Sequence, residues 1–181
     1  MKGMNFKVLK SDILFHGKVF DLQVDEIEYD SGNKGIREVA VHNGGAVVVP
    51  VKADGKIILV KQFRYPFQDF LLELPAGKLE KNEDPIECAT RELTEETGYS
   101  TDTITKLGKI YTTPGFCTEV LHIYLVENLK SGNHNREEGE YGMEVYEFTL
   151  EEINEKIRTG EIVDAKTISG IHFYKLYKNK T

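Results

Sequence analysis

Tryptophan is absent from the 181 residues, cysteine occurs twice and proline five times. The two thiols, Cys88 and Cys117, give neither a disulfide framework nor a zinc-binding spacing. No apolar run approaches the ~18 residues of a membrane-spanning helix. The opening Met1-Lys2-Gly3-Met4-Asn5 lacks the apolar core of a secretory leader. Positive charge is also in deficit, with 23 Lys and Arg against 30 Asp and Glu and a net charge of −7. That is the wrong sign for a protein that holds nucleic acid by its phosphates. These absences predict a soluble cytoplasmic protein with neither a membrane nor a nucleic acid as partner. A chain of this length buries roughly two-thirds of its unfolded surface, so one domain folds without a metal or disulfide staple.

What is present is a surplus of carboxylates, which has two readings: a solvated acidic surface, or a cluster gathered around a divalent cation. Spacing has to separate them. Residues 1–45 read as an antiparallel strand region, with alternation at Leu22, Val24 and Glu26 and at Glu38 to Val41 around the turn-rich Asp30 to Gly35. This predicts a small separate sheet, with the main domain at 46–181. The runs from Ala46 and from Ile57 have no polar alternation and predict strands covered on both faces, with Ala53-Asp54-Gly55 as the turn between them. Further strands are expected at Phe70–Leu74, Lys109–Thr112, Val120–Val126 and Met143–Phe148. Asp84-Pro85 with Glu87 announces a capped helix that Gly98 stops. Thr149 to Glu152 announces a second, ended by Gly160. A third follows Asp164, with Ile168, Ile171 and Tyr174 inward. Strands mixed with three helices indicate an α/β domain.

The informative segment runs from Gly77 to Tyr99. At about 100° per residue, Ile86, Ala89, Leu93 and Thr97 share one helix face, while Glu92 and Glu96 lie roughly 40° apart with Glu95 at their edge. A helix that needed only solubility would place Lys four residues after Glu. This one repeats Glu, at a cost of a few tenths of a kcal/mol, and puts acids in the last turn, where the helix dipole disfavours them. Both costs vanish if a hard cation sits between the carboxylates. An acidic solvated helix end remains open on this cluster alone.

The pattern Gly77, five residues, Glu83, seven residues, then Arg91-Glu92-Leu93-Thr94-Glu95-Glu96-Thr97-Gly98 resembles the box of the Nudix hydrolases at all of its fixed positions. Tyr99 stands where an aliphatic residue is usual, a departure that touches packing. The resemblance implies an α/β/α sandwich on a mixed sheet and hydrolysis of a nucleoside diphosphate linked to another group. It also implies Mg²⁺, with Mn²⁺ as the substitute. Glu92 and Glu96 match metal-ligand positions, Glu95 a further ligand or catalytic acid, and the carbonyl of Ala76 a ligand in several members. Gly77, Glu83, Arg91 and Gly98 match positions that brace the box, Arg91 by a fork of hydrogen bonds.

Outside the box, Val60-Lys61-Gln62-Phe63-Arg64, Glu73-Leu74-Pro75-Ala76-Gly77, Asp164-Ala165-Lys166-Thr167 and Pro114, fifteen residues after Tyr99, resemble the ADP-ribose pyrophosphatases. That likeness implies substrate contacts from Arg64, Arg37, Glu38 and Pro114. It also implies an N-terminal arm that crosses to a second subunit in a homodimer. Without tryptophan, stacking on adenine falls to Phe20, Tyr29 or Arg37. His122, alternating with Tyr124, reads as packed, and Cys88 and Cys117 as bystanders. The polar stretch Asn128 to Gly142 resembles the acidic loop that supplies the general base, with Glu140 first and Glu138 second. The expected reaction is cleavage of the ADP-ribose pyrophosphate to AMP and ribose 5-phosphate. A pyrophosphatase for another nucleotide sugar or a dinucleotide, and a non-catalytic nucleotide sensor, are the alternatives.

Overall fold

Residues 5–132 and 142–180 are described by a computed structural model of the chain. Contacts divide the chain into two units, one of Met1–Gly44 with Tyr111–Val120 and one of Gly45–Ile110 with Leu121–Thr181. Tyr111–Val120, placed on sequence within 46–181, therefore packs with the N-terminal strands.

In the first unit, β1 (Phe6–His16), β2 (Asp21–Tyr29) and β3 (Lys34–Val41) form an antiparallel meander. Its second turn closes with Gly32 at φ 84, a left-handed conformation that glycine adopts without a steric cost. The register runs Asp21↔Val41 to Glu28↔Lys34 and Phe6↔Tyr29 to His16↔Asp21. Tyr111–Val120 docks on the end of β3 through a parallel bridge between Ala40 and Cys117. Most side chains of β1 are exposed, and Ile27 is the buried anchor of β2.

In the second unit the strands are β4 (Gly45–Pro50), β5 (Ile57–Arg64), β6 (Asp69–Glu73), β7 (Ala76–Lys78), β8 (Tyr99–Ser100), β9 (Thr103–Tyr111), β10 (Val120–Glu127), β11 (Lys130–Ser131) and β12 (Glu144–Phe148). The end residues Tyr111 and Val120 belong by contact to the first unit. The helices are α1 (Pro85–Thr97), α2 (Leu150–Thr159) and α3 (Ala165–Lys178). Sheet order is β7-β4-β10-β9, β12-β5-β6 and β11-β8. Strand β10 runs parallel to β4, and β7 antiparallel to it, so the central sheet is mixed.

The unbroken apolar run of β4 is explained by what covers it. Ala46 and Val48 pack with Cys88, Ala89 and Leu93 of α1, while Val47 and Val49 pack with Ile153, Ile171 and Tyr174 of α2 and α3. Successive strand residues face opposite sides, and here both sides are dry. Truncating Leu93 to Ala would cost about 2–5 kcal/mol in such surroundings. One inward assignment fails: Ile168 is exposed although Thr167 and Ile171 of the same helix are buried, and on α1 the first member of the apolar face, Ile86, is exposed as well. Strand β9 is also longer than the expected Lys109–Thr112, and it starts at Thr103. Among the described residues no helix is long and apolar enough to cross a membrane.

Candidate active site

Helix α1 is held at both ends by local chemistry. The Asp84 carboxylate accepts a hydrogen bond from the Ile86 amide at 2.8 Å, Pro85 fills the first turn, and Gly98 closes the helix in the left-handed conformation at φ 74. Glu87 is a first-turn acid there and completes no capping box. So fixed, the helix turns Glu92 and Glu96 inward, where both are buried, and leaves Glu95 at the edge.

Strand β7 meets these acids directly. A Cβ on residue 77 would stand 1.7 Å from Glu92 Oε1, so only glycine leaves room for that carboxylate. The Ala76 amide donates to Glu96 Oε2 at 3.1 Å, which brings the Ala76 backbone to the acid cluster. The cleft between these elements measures about 430 Å³. It is lined by Gln62 and Arg64 of β5, Ala76–Lys78 of β7, Glu80, and Arg91, Glu92, Glu95 and Glu96 of α1.

Arg91 is the organiser. Its Nε and Nη2 donate to the two oxygens of Glu83 at 2.9 and 3.1 Å, and its Nη1 to Glu92 Oε1 at 2.7 Å and Glu95 Oε2 at 3.0 Å. The guanidinium holds the Glu83 carboxyl below its ordinary range, and Glu83 in turn raises the Arg91 pKa further. Among the described residues no three His, Cys, Asp or Glu side chains are already gathered to hold a metal ion. Glu92 and Glu95 are turned to the Arg91 guanidinium. The donor set nevertheless fits a hard divalent cation: carboxylates in a cleft, a backbone close to one of them, and no sulfur or imidazole donor in the lining.

Arg64 faces the same cleft from β5. It is held by Glu73, with Nε to Oε1 at 2.7 Å and Nη2 to Oε2 at 2.5 Å, a bidentate pair. Burial alone would raise the Glu73 carboxyl, but Arg64 and Lys166 together hold it below its ordinary range. Lys166 also bonds Glu73 Oε2. Glu73, Lys166, Gln62 and Glu80 carried no assigned role in the sequence. Gln62 was legible, since a strand places residues 62 and 64 on one face. Lys166 was not, because it meets Glu73 across 93 positions of chain.

Arg37, Glu38 and Pro114 belong to the first unit. Arg37 lies 5.7 Å over the Tyr29 ring and hydrogen-bonds its hydroxyl, and Pro114 sits in the turn that the Phe116 and Cys117 amides close on the Thr113 carbonyl. Glu138 and Glu140 lie outside the described residues. His122 is half-buried, its Nδ1 is buried without a hydrogen-bond partner among the described residues, and burial with nearby Lys106 and Lys109 lowers its pKa. Burial, with Glu83 and Glu92 nearby, pushes the Cys88 thiol up to about 12.

Comparison with known proteins identifies a family for the chain. The model of the NUDIX domain matches residues 41–169. The chain is 43% identical over 178 residues to an ADP-ribose pyrophosphatase of Bacillus subtilis (strain 168), covering 97% of this chain and 96% of that one. It is 37% identical over 172 residues to a methanol dehydrogenase activator of Bacillus methanolicus, covering 94% and 92%. A crystal structure of an ADP compounds hydrolase superposes with a TM-score of 0.88 at 17% identity, covering 99% of this chain and 98% of the other, which establishes the fold.

Proposed function

The chain belongs to the NUDIX family, and from that premise we propose that it hydrolyses the pyrophosphate of ADP-ribose. One water adds across the P–O–P bridge, one P–O bond breaks, and AMP and ribose 5-phosphate leave. The observation that carries the reading is the cleft, which buried Glu92 and Glu96 line together with Arg64 and the Ala76–Gly77 backbone. The full-length likeness to an ADP-ribose pyrophosphatase supports the choice of substrate.

Glu92, Glu96 and Glu95, with the Ala76 carbonyl, would hold the divalent cation, which we assign as Mg²⁺ with Mn²⁺ as the substitute. Bound there, it supplies positive charge against the diphosphate and makes a neighbouring water more acidic. The protein groups do the rest. Arg91 keeps Glu92 and Glu95 oriented through its fork. Arg64 binds diphosphate oxygens as a fixed cation, with charge-assisted bonds about twice as strong as neutral ones. Glu140, or Glu138 if the loop is set two residues earlier, takes the proton from the attacking water. Arg37 and Glu38 are assigned to the adenine end of the substrate, and Pro114 to a further substrate contact. Product analysis with ADP-ribose, other nucleotide sugars and NADH in Mg²⁺ tests the reading. AMP and ribose 5-phosphate from ADP-ribose at the highest kcat/KM are expected. Preference for another diphosphate would replace the substrate, and binding without any cleavage would make the chain a sensor.

The proposed working form is a cytoplasmic homodimer in which residues 1–45 bind a second copy. The support is the exposure of Phe6, Leu14, Phe15, Val19 and Phe20 in that region. The absence of a disulfide at Cys88 and Cys117 accords with a reducing compartment. Deleting residues 1–45 should give a monomer or aggregate with weakened ADP-ribose binding. A truncated chain that stays dimeric and binds normally removes the arm from the account.

A further inference from the structure

Two segments with no assigned role meet behind the cleft. In the antiparallel pairing of β5 with β6, Arg64 stands opposite Asp69 and Val60 stands opposite Glu73. The Arg64 side chain therefore runs back along the sheet to reach Glu73. Glu73 is 2% exposed. Lys166 bonds it from α3, and Lys166 Nζ also lies 3.0 Å from Asp164 Oδ2. That oxygen accepts from the Thr167 amide at 2.9 Å and from its hydroxyl at 2.6 Å. The Thr167 hydroxyl oxygen accepts from the Leu74 amide at 2.8 Å, which ties the start of α3 to the residue after Glu73.

A partly buried ion network of this kind adds little stability over an apolar replacement of equal volume, which leaves room for another use. The chemistry supplies one. Glu73 occupies Nε and Nη2 of Arg64, and Nη1 has no partner among the described residues. Arg64 is partly exposed and lines the cleft. Glu96 is within electrostatic reach of it. A guanidinium released from Glu73 would turn toward the cluster's own carboxylates and cancel the charge meant for the substrate.

We propose that Glu73, backed by Lys166 and Asp164, is the positioning group for Arg64: it grips the guanidinium by one edge, presents the other to the diphosphate, and keeps it off the acid cluster. Glu73 touches no substrate itself. This rests on the reading of Arg64 as a substrate contact, and the test separates the two.

A double-mutant cycle does so, with the Mg²⁺-loaded enzyme assayed for KM and kcat and with the Kd of an ADP-ribose analogue whose bridging oxygen is replaced by methylene. Arg64→Ala should weaken binding on the order of 10–100-fold, the range for a charge-assisted bond. Glu73→Gln should raise Kd and KM about tenfold with little change in kcat. In the Arg64→Ala background it should change neither, since a group that acts through Arg64 has nothing left to act on. Lys166→Met should raise Kd about threefold, again only when Arg64 is present. Effects of Glu73→Gln that persist undiminished without Arg64 would assign Glu73 a general structural role and overturn the proposal. If Arg64→Ala weakens binding but neither Glu73→Gln nor Lys166→Met does, the positioning role fails and the Arg64 contact stands. If Arg64→Ala leaves Kd unchanged, both fail. Should Glu73→Gln not fold, the Lys166→Met cycle decides alone.

Discussion

Helices α1 and α2 are capped alike and charged in opposite ways in their last turns. Each opens on a polar cap in extended conformation, Asp84 and Thr149, and each stops at a left-handed glycine, Gly98 and Gly160. Helix α2 then follows the rules for an isolated helix: acids Glu151 and Glu152 in the first turn, bases Lys156 and Arg158 in the last, and a complete capping box between Thr149 and Glu152. Helix α1 has no base in its last turn and carries Glu95 and Glu96 there instead. It also buries two of its acids, where α2 buries only Ile153. The same local grammar thus builds a scaffold in one place and a charge site in the other. What distinguishes them is the set of residues that break the dipole and pairing rules.

If α1 is a site and α2 a scaffold, substitutions should split cleanly between activity and stability. The largest effect belongs to the base that assists α1. Glu140→Gln should lower kcat by roughly 10²–10⁴-fold with little change in KM, and added Mg²⁺ should not rescue it. Glu138→Gln, an equal change of charge in the same loop, is the control. If the 138 change is the severe one, the base moves two residues earlier. If both are mild, Glu95 becomes the leading candidate. On α1 itself, Glu96→Gln should cut turnover at least ~10²-fold while the thermal midpoint holds. Near-normal activity in saturating Mg²⁺ would remove α1 as the metal site.

On α2 the pattern reverses. Thr149→Ala removes one cap bond, worth about 1 kcal/mol, so the melting midpoint should fall by about 2–4 °C with kcat/KM unchanged. A loss of activity without a loss of stability would break the contrast.

The smallest effect concerns pH. Arg91 lowers the Glu83 carboxyl beside α1, and the Thr149 amide lowers that of Glu152 on α2. A carboxyl whose pKa is lower folded than unfolded contributes stability above its unfolded value, near 4.3. That contribution is lost as pH falls through the folded value. Melting curves from about pH 6 to pH 3 should therefore show a shallower acid limb for Glu83→Gln than for the unsubstituted chain. Parallel curves would mean that the Arg91–Glu83 pair carries no linkage.

These same elements show what a sequence reveals. Caps are local, a matter of three or four neighbouring residues, and the starts of α1 and α2 were legible from them. The two-sided burial of β4 and β5 was legible because their apolar runs lack alternation. The acids of α1 were legible because they violate helix rules in a pattern that resembles a known box. Direction without a partner misled: Ile168, expected inward, is exposed while Thr167 and Ile171 of the same helix are buried. Contacts across long separations left no trace at all. Arg91 dividing itself among Glu83, Glu92 and Glu95, and Lys166 meeting Glu73, depend on how the strands fold back. So does the docking of Tyr111–Val120 on β3.

The buried thiol of α1 gives this molecule a built-in clock. Cys88 hydrogen-bonds to the carbonyls of Gly77 and Lys78 and is held protonated at ordinary pH, so an alkylating reagent, which needs the thiolate, finds it inert while α1 is seated. Cys117, in the first unit, is partly exposed. A maleimide pulse should therefore tag 117 first, leaving a single dye on the N-terminal unit. The later appearance of label at 88 would time each departure of the acid helix from the glycine it packs against.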